Sequence, residues 1–457
     1  MFLTAQFQVW TKRVERNRVR ENRARRTNGS CAHQCVQLLC SCLSLWSKML
    51  EIALHIVHSL VLHCFCPLTR TCWDTAMEEQ VQEDVPEVQH PGGHHPVQEG
   101  EVFNARYQAV RELGCGAFAT VWLCQDMRKK KNVAVKVLKS REGFAEAAQD
   151  ELSLLKCVSS MKKKDRAGEN VICLLDDFRM IGENGFHTCL VFEALGPSLQ
   201  FLMGNYAAQG LPLPFVKKSL QQVLAGLHFL HGRCRIIHAD IKPENVLLYI
   251  HDKNLQRFLL DAADCGQRTD LRLKAPGGDP GNQLEDSDLM SIEVKIADLG
   301  SACWTYKPFS KEIQTQPYRA LEVLLGLDYG TPADIWSTGC LAFEMATGER
   351  LFNPQPGKYF SRDDDHVARI IELLGRIPPQ IAFSWNKSTK FFRRPGALLR
   401  ISRLIPRSLH AILADRLKWR KHEVPPFTSF LMSALRYAPE KRATAAQCLQ
   451  HAWLSTP

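Results

Sequence analysis

A chain of 457 residues that is 45% hydrophobic and 23% charged has the composition of an ordinary soluble globular protein, long enough for a domain of about 250–300 residues plus extra segments. Its formal charge of +10 sits mostly in an N-terminal arm: residues 1–76 hold ten Lys/Arg against four Asp/Glu, the remainder 48 against 44, so the main body offers no electrostatic case for direct nucleic-acid binding. Seven of the 17 cysteines lie between Cys31 and Cys72 and ten are scattered singly, which excludes a disulfide framework and suits a reducing compartment.

The arm opens with a basic run from Lys12 to Arg26 and continues into an apolar stretch, 49–66, interrupted by Glu51, His55, His58 and His63. Polar groups at membrane depth cost several kcal/mol, so this is a marginal spanning candidate, and it lies too far from the start for an ordinary secretory signal. Membrane association is not expected; the favoured alternative is that Met77 is the real initiator. The Cys40/Cys42 and Cys64/Cys66 pairs are C-x-C rather than C-x-x-C, a weak zinc spacing. Residues 77–102 are acidic at first (Glu78, Glu79, Glu83, Asp84) and then rich in Pro, Gly and His, and read as a disordered leader. A second composition break at about 261–290, with Ala275-Pro276-Gly277-Gly278-Asp279-Pro280-Gly281 at its centre, reads as a surface insert.

Residues 106–122 read as strand, glycine turn, strand. Gly114 and Gly116 let the backbone approach and cover phosphates with N–H donors, and Phe118 can close the tip. Ala119 takes the third place of G-x-G-x-x-G, and this degenerate motif alone reads more often as a hairpin turn than as a nucleotide site. Shortly after it, Val133-Ala134-Val135-Lys136 puts a lysine on an apolar strand, where a charge is costly unless paired. Glu151, on a helix expected over 144–157, can supply the pair and orient Lys136 toward the α- and β-phosphates.

His238-Ala239-Asp240-Ile241-Lys242-Pro243-Glu244-Asn245 spaces a carboxylate, an ammonium and an amide two and three residues apart. Asp240 can accept the proton of a substrate hydroxyl, Lys242 can neutralise a transferring γ-phosphoryl and Asn245 can hold a magnesium ion. Asp298, in Lys295-Ile296-Ala297-Asp298-Leu299-Gly300, can bind Mg²⁺ bridging the β- and γ-phosphates, with Leu299 as an apolar anchor. Motifs in this order resemble the eukaryotic protein kinase family over about 107–454. The resemblance implies an α+β, two-lobed fold over 103–457, with a small β-rich lobe at about 103–195, a larger α-helical lobe at about 196–457 and a short insert. It implies ATP and Mg²⁺ as cofactors and nucleotide contacts from Leu113, Gly114, Cys115, Gly116, Ala117, Val121, Ala134, Lys136, Glu193 and Leu195. It also implies that Glu322 pairs with Arg442 and that Asp334 opens the central helix and binds the catalytic-loop backbone.

Ala239 stands where most kinases carry an arginine that meets a phosphorylated activation loop. With the short span from Asp298 to Glu322, this points to a site assembled without phosphorylation. Lys242 and Thr315 favour serine or threonine as acceptor. Thr120-Val121-Trp122-Leu123-Cys124, Leu154-Leu155-Lys156-Cys157-Val158 and the runs over 332–340 and 361–375 look like the serine/arginine-rich protein kinases, whose substrates are Arg-Ser repeats. That family implies a monomer in cytoplasm and nucleus, and an acidic docking groove for arginines, to which Glu349, Asp365 and Glu372 correspond. Asp365 and Glu372 are seven apart on one helix, hence on one face. Arg407, in place of a groove tryptophan, and Gln316-Pro317, in place of an Arg-Gln pair, depart from the family pattern. Two alternatives stand beside an Arg-Ser kinase: a kinase of a neighbouring branch, and a catalytically weak docking module.

Overall fold

The run Val133-Ala134-Val135-Lys136-Val137 sends its valines to one side of a strand and Ala134 and Lys136 to the other, because successive side chains alternate. In the computed structural model this strand is β4 (Lys131–Leu138). It belongs to a six-stranded antiparallel sheet of order β1-β2-β3-β4-β6-β5, with β1 (Val102–Phe103), β2 (Tyr107–Cys115), β3 (Ala119–Asp126), β5 (Leu174–Gly182) and β6 (Gly185–Glu193). The structure describes residues 93–140, 144–163, 165–206, 209–251, 286–382, 390–394 and 397–455. The expectations for 1–76, for 77–92 of the leader and for 261–285 of the insert lie outside them.

On one face of the sheet, Val133, Val135 and Val137 close a small core with Tyr107, Trp122, Cys124, Cys189 and Val191. Val97 packs on this core, Gly100 N donates to Ala109 O (2.8 Å) and Ala109 N to Glu101 O (2.7 Å). Residues 93–102 are therefore part of the fold, a correction to the disordered leader: one apolar side chain and the free edge of β2 give the segment somewhere to pair. On the other face Ala119, Ala134, Leu138, Leu190 and Phe192 join the main core, which also takes in Leu152 and Leu155 of the helix Phe144–Lys162. That helix runs five residues beyond the expected 157, because Val158 and Met161 continue its apolar stripe and Lys162 suits its negative C-terminal end.

The second half of the chain is mostly helical. Leu213–Phe229 buries Val216, Leu220, Val223, Leu224 and Leu227, a stripe of helical period. Pro332–Thr347 is buried at every position from Ala333 to Thr347 and forms the axis of the core, with Arg362–Leu374, Val424–Ala434 and Ala445–Leu449 among the helices around it. Two short antiparallel ladders, β7 (Ile236–Ile237) with β10 (Cys303–Trp304) and β8 (Val246–Tyr249) with β9 (Glu293–Ile296), hold the loops that carry the polar motifs. Sheet and helices together make the α+β, two-lobed arrangement. The helix Asp286–Ser291 corrects the expected extent of the insert: Leu289 is buried and Lys218 Nζ donates to Met290 O (2.6 Å) and Ile292 O (3.0 Å), so the segment is anchored before 290. Among the described residues no helix is long and apolar enough to cross a membrane.

Candidate active site

The hairpin between β2 and β3 is closed by Gly116 N donating to Ala119 O (2.9 Å). Leu113, Gly114, Cys115, Gly116 and Ala117 are all exposed, and Phe118 stands out at the tip. A β-carbon at Gly114 would meet nothing within 4 Å, so the turn keeps open space over its backbone. Ala119, at the third glycine place, buries its side chain in the main core, so this departure from the motif leaves the turn itself free.

Val121 pairs with Lys136 across β3 and β4, and Ala134 pairs with Phe192 across β4 and β6, which puts Val121, Ala134 and Lys136 on one patch of sheet. Ala134 and Leu195 are buried. The Glu193 carboxylate is already engaged, accepting from Cys173 N (2.9 Å) and Lys295 Nζ (2.6 Å). The Glu193 backbone N donates to Cys173 O (3.3 Å), so the carbonyl is what this residue offers a nucleotide.

Lys136 Nζ lies 2.8 Å from Glu151 Oε1 and 2.9 Å from Asp298 Oδ1. Burial alone would lower the lysine pKa, but the two carboxylates outweigh it and raise it, so the ammonium stays charged. For Asp298 burial pushes up, and Lys136 more than offsets this and holds the carboxyl below its usual range. Asp298 takes a left-handed backbone (φ 60°), and its Oδ1 accepts from Gly300 N (3.2 Å). A β-carbon on Gly300 would lie 3.1 Å from Asp298 Oδ1, 3.4 Å from Lys136 Nζ and 3.5 Å from Glu151 Oε2, so glycine is what lets the three charges close up. Leu299 is buried as the anchor beside them.

The catalytic loop between β7 and β8 is fixed from beneath. Asp334, fully buried, accepts from His238 N (2.8 Å), Ala239 N (2.9 Å) and His231 Nε2 (2.8 Å), and so holds Ala239 in a left-handed conformation (φ 66°). His238 Nε2 lies 2.9 Å from Ala297 O while its Nδ1 accepts from Asp240 N (3.3 Å), which defines the tautomer protonated on Nε2. Above the loop, Asp240 Oδ1 accepts from Thr315 N (2.9 Å) and Thr315 Oγ1 (2.7 Å), and Oδ2 lies 2.8 Å from Lys242 Nζ. Burial pushes Asp240 up, but Lys242 and Thr315 outweigh it and keep it ionised below the usual carboxylate range. Lys242 Nζ also donates to Thr315 Oγ1 (2.9 Å). Asn245 turns its Nδ2 to Asp240 O (2.9 Å) and Oδ2 (3.2 Å), and among the described residues no donor takes its amide oxygen. That oxygen and the Asp298 carboxylate are hard donors of the type Mg²⁺ takes, with its remaining positions filled by water and phosphate. The donor set fits.

A cavity of about 540 Å³ opens beside Asp240, lined by Glu146, Asp150, Glu151 and Glu312 as well as Arg319. Glu146, Asp150 and Glu312 were not found from sequence. The first two lie four apart on the helix of Glu151, a readable spacing, but Glu312 reaches them only through the fold.

The three expected docking carboxylates divide. Glu349 and Glu372 line a second cavity, of about 160 Å³, together with Arg350, Arg369, Arg407 and Arg416. Asp365 is not among its lining residues: it accepts from Gln355 N (2.9 Å) and pairs with Arg369 Nε one helical turn on (2.6 Å). Asp365 thus stands behind Arg369, which lines the cavity, while Glu349 and Glu372 line it directly.

The chain matches the protein kinase domain family over residues 107–454, which with the lobes and loops above makes it a serine/threonine protein kinase. It is 37% identical to SRSF protein kinase 3 of Homo sapiens over 519 residues, spanning 83% of this chain and 91% of that protein. It is 40% identical to the serine/threonine-protein kinase SRPK of Physarum polycephalum over 382 residues (80% and 89%) and 33% identical to protein kinase dsk1 of Schizosaccharomyces pombe over 470 (83% and 86%). The chain belongs to the SR protein kinase family.

Proposed function

We propose that this kinase transfers the γ-phosphoryl group of ATP to serine or threonine hydroxyls of Arg-Ser-rich proteins. The observation that carries the reading is Asp240, ionised, fixed by Thr315 and Lys242, and opening on a cavity that Glu146, Asp150 and Glu312 also line, beside Arg319. Asp240 takes the proton of the acceptor hydroxyl as its oxygen bonds to the γ-phosphorus, and the bond from that phosphorus to the β–γ bridging oxygen breaks to release ADP. Lys242 stays beside the transferring oxygens and offsets their charge. Lys136, held by Glu151, orients the α- and β-phosphates, and the turn over 113–117 covers them with backbone N–H groups. Asn245 and Asp298 would hold Mg²⁺, which supplies charge neutralisation of the phosphates. Glu146, Asp150 and Glu312 suit guanidinium groups flanking the acceptor, the chemistry of an Arg-Ser repeat.

The test is transfer of labelled γ-phosphate to an Arg-Ser-repeat peptide beside an acidic peptide without Arg-Ser and a proline-directed one. Preferential labelling of the Arg-Ser peptide is expected. Equal or greater labelling of either control would refute the substrate class, and labelling of none would refute the enzyme reading.

A further inference from the structure

A serine stands directly beside an arginine four times in the chain, at Ser140-Arg141, Ser361-Arg362, Ser402-Arg403 and Arg407-Ser408. Three of these hydroxyls have a structural task. Ser140 Oγ donates to Asn184 O, Ser361 Oγ donates to Asp364 Oδ2 (2.7 Å) in a capping box, and Ser408 Oγ accepts from Ala411 N (3.1 Å) as a helix cap. Ser402 differs. It is exposed and outside any helix or strand, and among the described residues its hydroxyl has no hydrogen-bond partner.

The chain around Ser402 is equally open. Among the described residues the backbone of 401–404 makes no hydrogen bond, and Leu404 alone rests against the core. The attachments lie on either side: Arg400 donates to Asp364 Oδ1 (3.0 Å) and Lys390 O (2.9 Å), and Ile405 N and Arg407 N donate to Glu372 (2.9 and 2.8 Å). A segment with so few contacts opens locally at low cost and can lie extended across an active site. Ser402 has Arg400 two residues before it, Arg403 directly after it and Arg407 five residues on, so its hydroxyl is flanked by guanidinium groups as in the substrate class proposed above. Glu146, Asp150 and Glu312, around Asp240, can take those groups.

We propose that Ser402 is a phosphorylation site of this kinase, modified by a second copy of the same chain. The inference rests on the phosphoryl-transfer reading and extends it to one acceptor. Asp364 and Glu372 hold the segment on the helix Arg362–Leu374, and neither that helix nor residues 399–408 line the Asp240 cavity, so the transfer runs between copies. Ser402 Oγ bonds to the γ-phosphorus of ATP in the other copy as Asp240 there takes the hydroxyl proton, and the bond from phosphorus to the β–γ bridging oxygen breaks to release ADP. The added phosphate carries about two negative charges in a run of three arginines, so its own neighbours stabilise the product.

The test uses the full-length Asp240→Asn chain, marked by an affinity tag and incubated with ATP alone or together with the unaltered chain. Mass spectrometry maps phosphate on each. The Asp240→Asn chain should gain phosphate at Ser402 only with the active copy present, at a rate proportional to that copy's concentration. Ser402→Ala in the tagged chain should abolish labelling at this position. Arg403→Glu should lower labelling of Ser402 severalfold, because a carboxylate there is repelled by the acidic residues of the cavity; thermal melting checks that both variants fold. An Arg-Ser-repeat peptide in the same tube reports the enzyme itself. A labelled peptide with Ser402 unmodified, or Ser402 labelled equally well in a normally melting Arg403→Glu chain, would overturn the proposal and leave the phosphoryl-transfer reading standing. Phosphate at Ser402 on the active copy and never on the Asp240→Asn chain would overturn transfer between copies. Absence of label on both peptide and chain would refute the phosphoryl-transfer reading, and this inference with it.

Discussion

Asp240 shows how one side chain is prepared by its neighbours. Thr315 occupies one carboxylate oxygen and Lys242 the other, so rotation is blocked and the charge retained in a half-buried place. Asp240→Asn keeps the shape but cannot take a proton. Its kcat should fall by roughly 10²–10⁴-fold, the usual contribution of a positioned base, while ATP affinity measured by calorimetry stays near that of the unaltered protein. A variant that kept normal turnover would remove Asp240 from the reaction. The same residue-by-residue view separates Glu193 from the other nucleotide-contact positions, because its carboxylate is committed to Cys173 N and Lys295.

Two elements carry expectations of their own. The activation segment is pinned by unmodified side chains: Gln314 Nε2 donates to Ala333 O (2.9 Å) and Ser337 Oγ (2.8 Å), Arg319 donates to the backbone of Ile313 and Gln314, and Tyr318 donates to Glu344 (2.6 Å). Ala239, beside Asp240, cannot hold a phosphate. Protein made in bacteria and treated with phosphatase should therefore be fully active, and a large gain after incubation with an upstream kinase would refute this account. The helix Arg362–Leu374 buries His366 completely against Phe352 (ring centroids 5.3 Å), with Nε2 unpartnered among the described residues. Burial first, then Arg319 and Arg369, push its pKa down to about 3. Unfolded, the same histidine titrates near 6.5, so below that pH the unfolded chain takes a proton that the folded one refuses. Stability is thus lost as pH falls from about 6.5 toward about 3. Between pH 7 and 5 this term should remove about 2 kcal/mol in chemical denaturation, at about 1.4 kcal/mol per unit once well below 6.5. His366→Phe should flatten that slope; an unchanged slope would assign the pH dependence elsewhere.

At the scale of the molecule, one buried ion pair ties the end of the activation segment to the C-terminal region. Arg442 donates to Glu322 through two nitrogens (2.8 and 3.0 Å), to Pro332 O (2.7 Å) and to Arg436 O, and lies over the Trp336 ring at 5.1 Å. Both partners are almost fully buried, so Arg442→Ala strands a carboxylate, which typically costs about 3–5 kcal/mol. Urea denaturation should show a loss of that order, and a loss below about 1 kcal/mol would mean that water reaches Glu322 in the variant.

What the sequence determined by itself was everything carried by short-range order. The glycine turn, the lysine on an apolar strand, the Asp240–Lys242–Asn245 spacing and the Asp298 motif each lie within a few residues, and strand alternation or loop geometry fixes where such groups point. Lys136 with Glu151 was legible because a charge on an apolar strand requires an opposite one, whereas the pair of Glu322 with Arg442 followed only from the resemblance to protein kinases. Only the tertiary structure decided which charges share a cavity. Glu146, Asp150 and Glu312 reach one cavity, and Arg350, Arg369, Arg407 and Arg416 another, from segments with no common spacing. Charges on separate helices and loops share no period, so apart from the Glu146–Asp150 spacing on one helix their joint effect exists only where the fold gathers them.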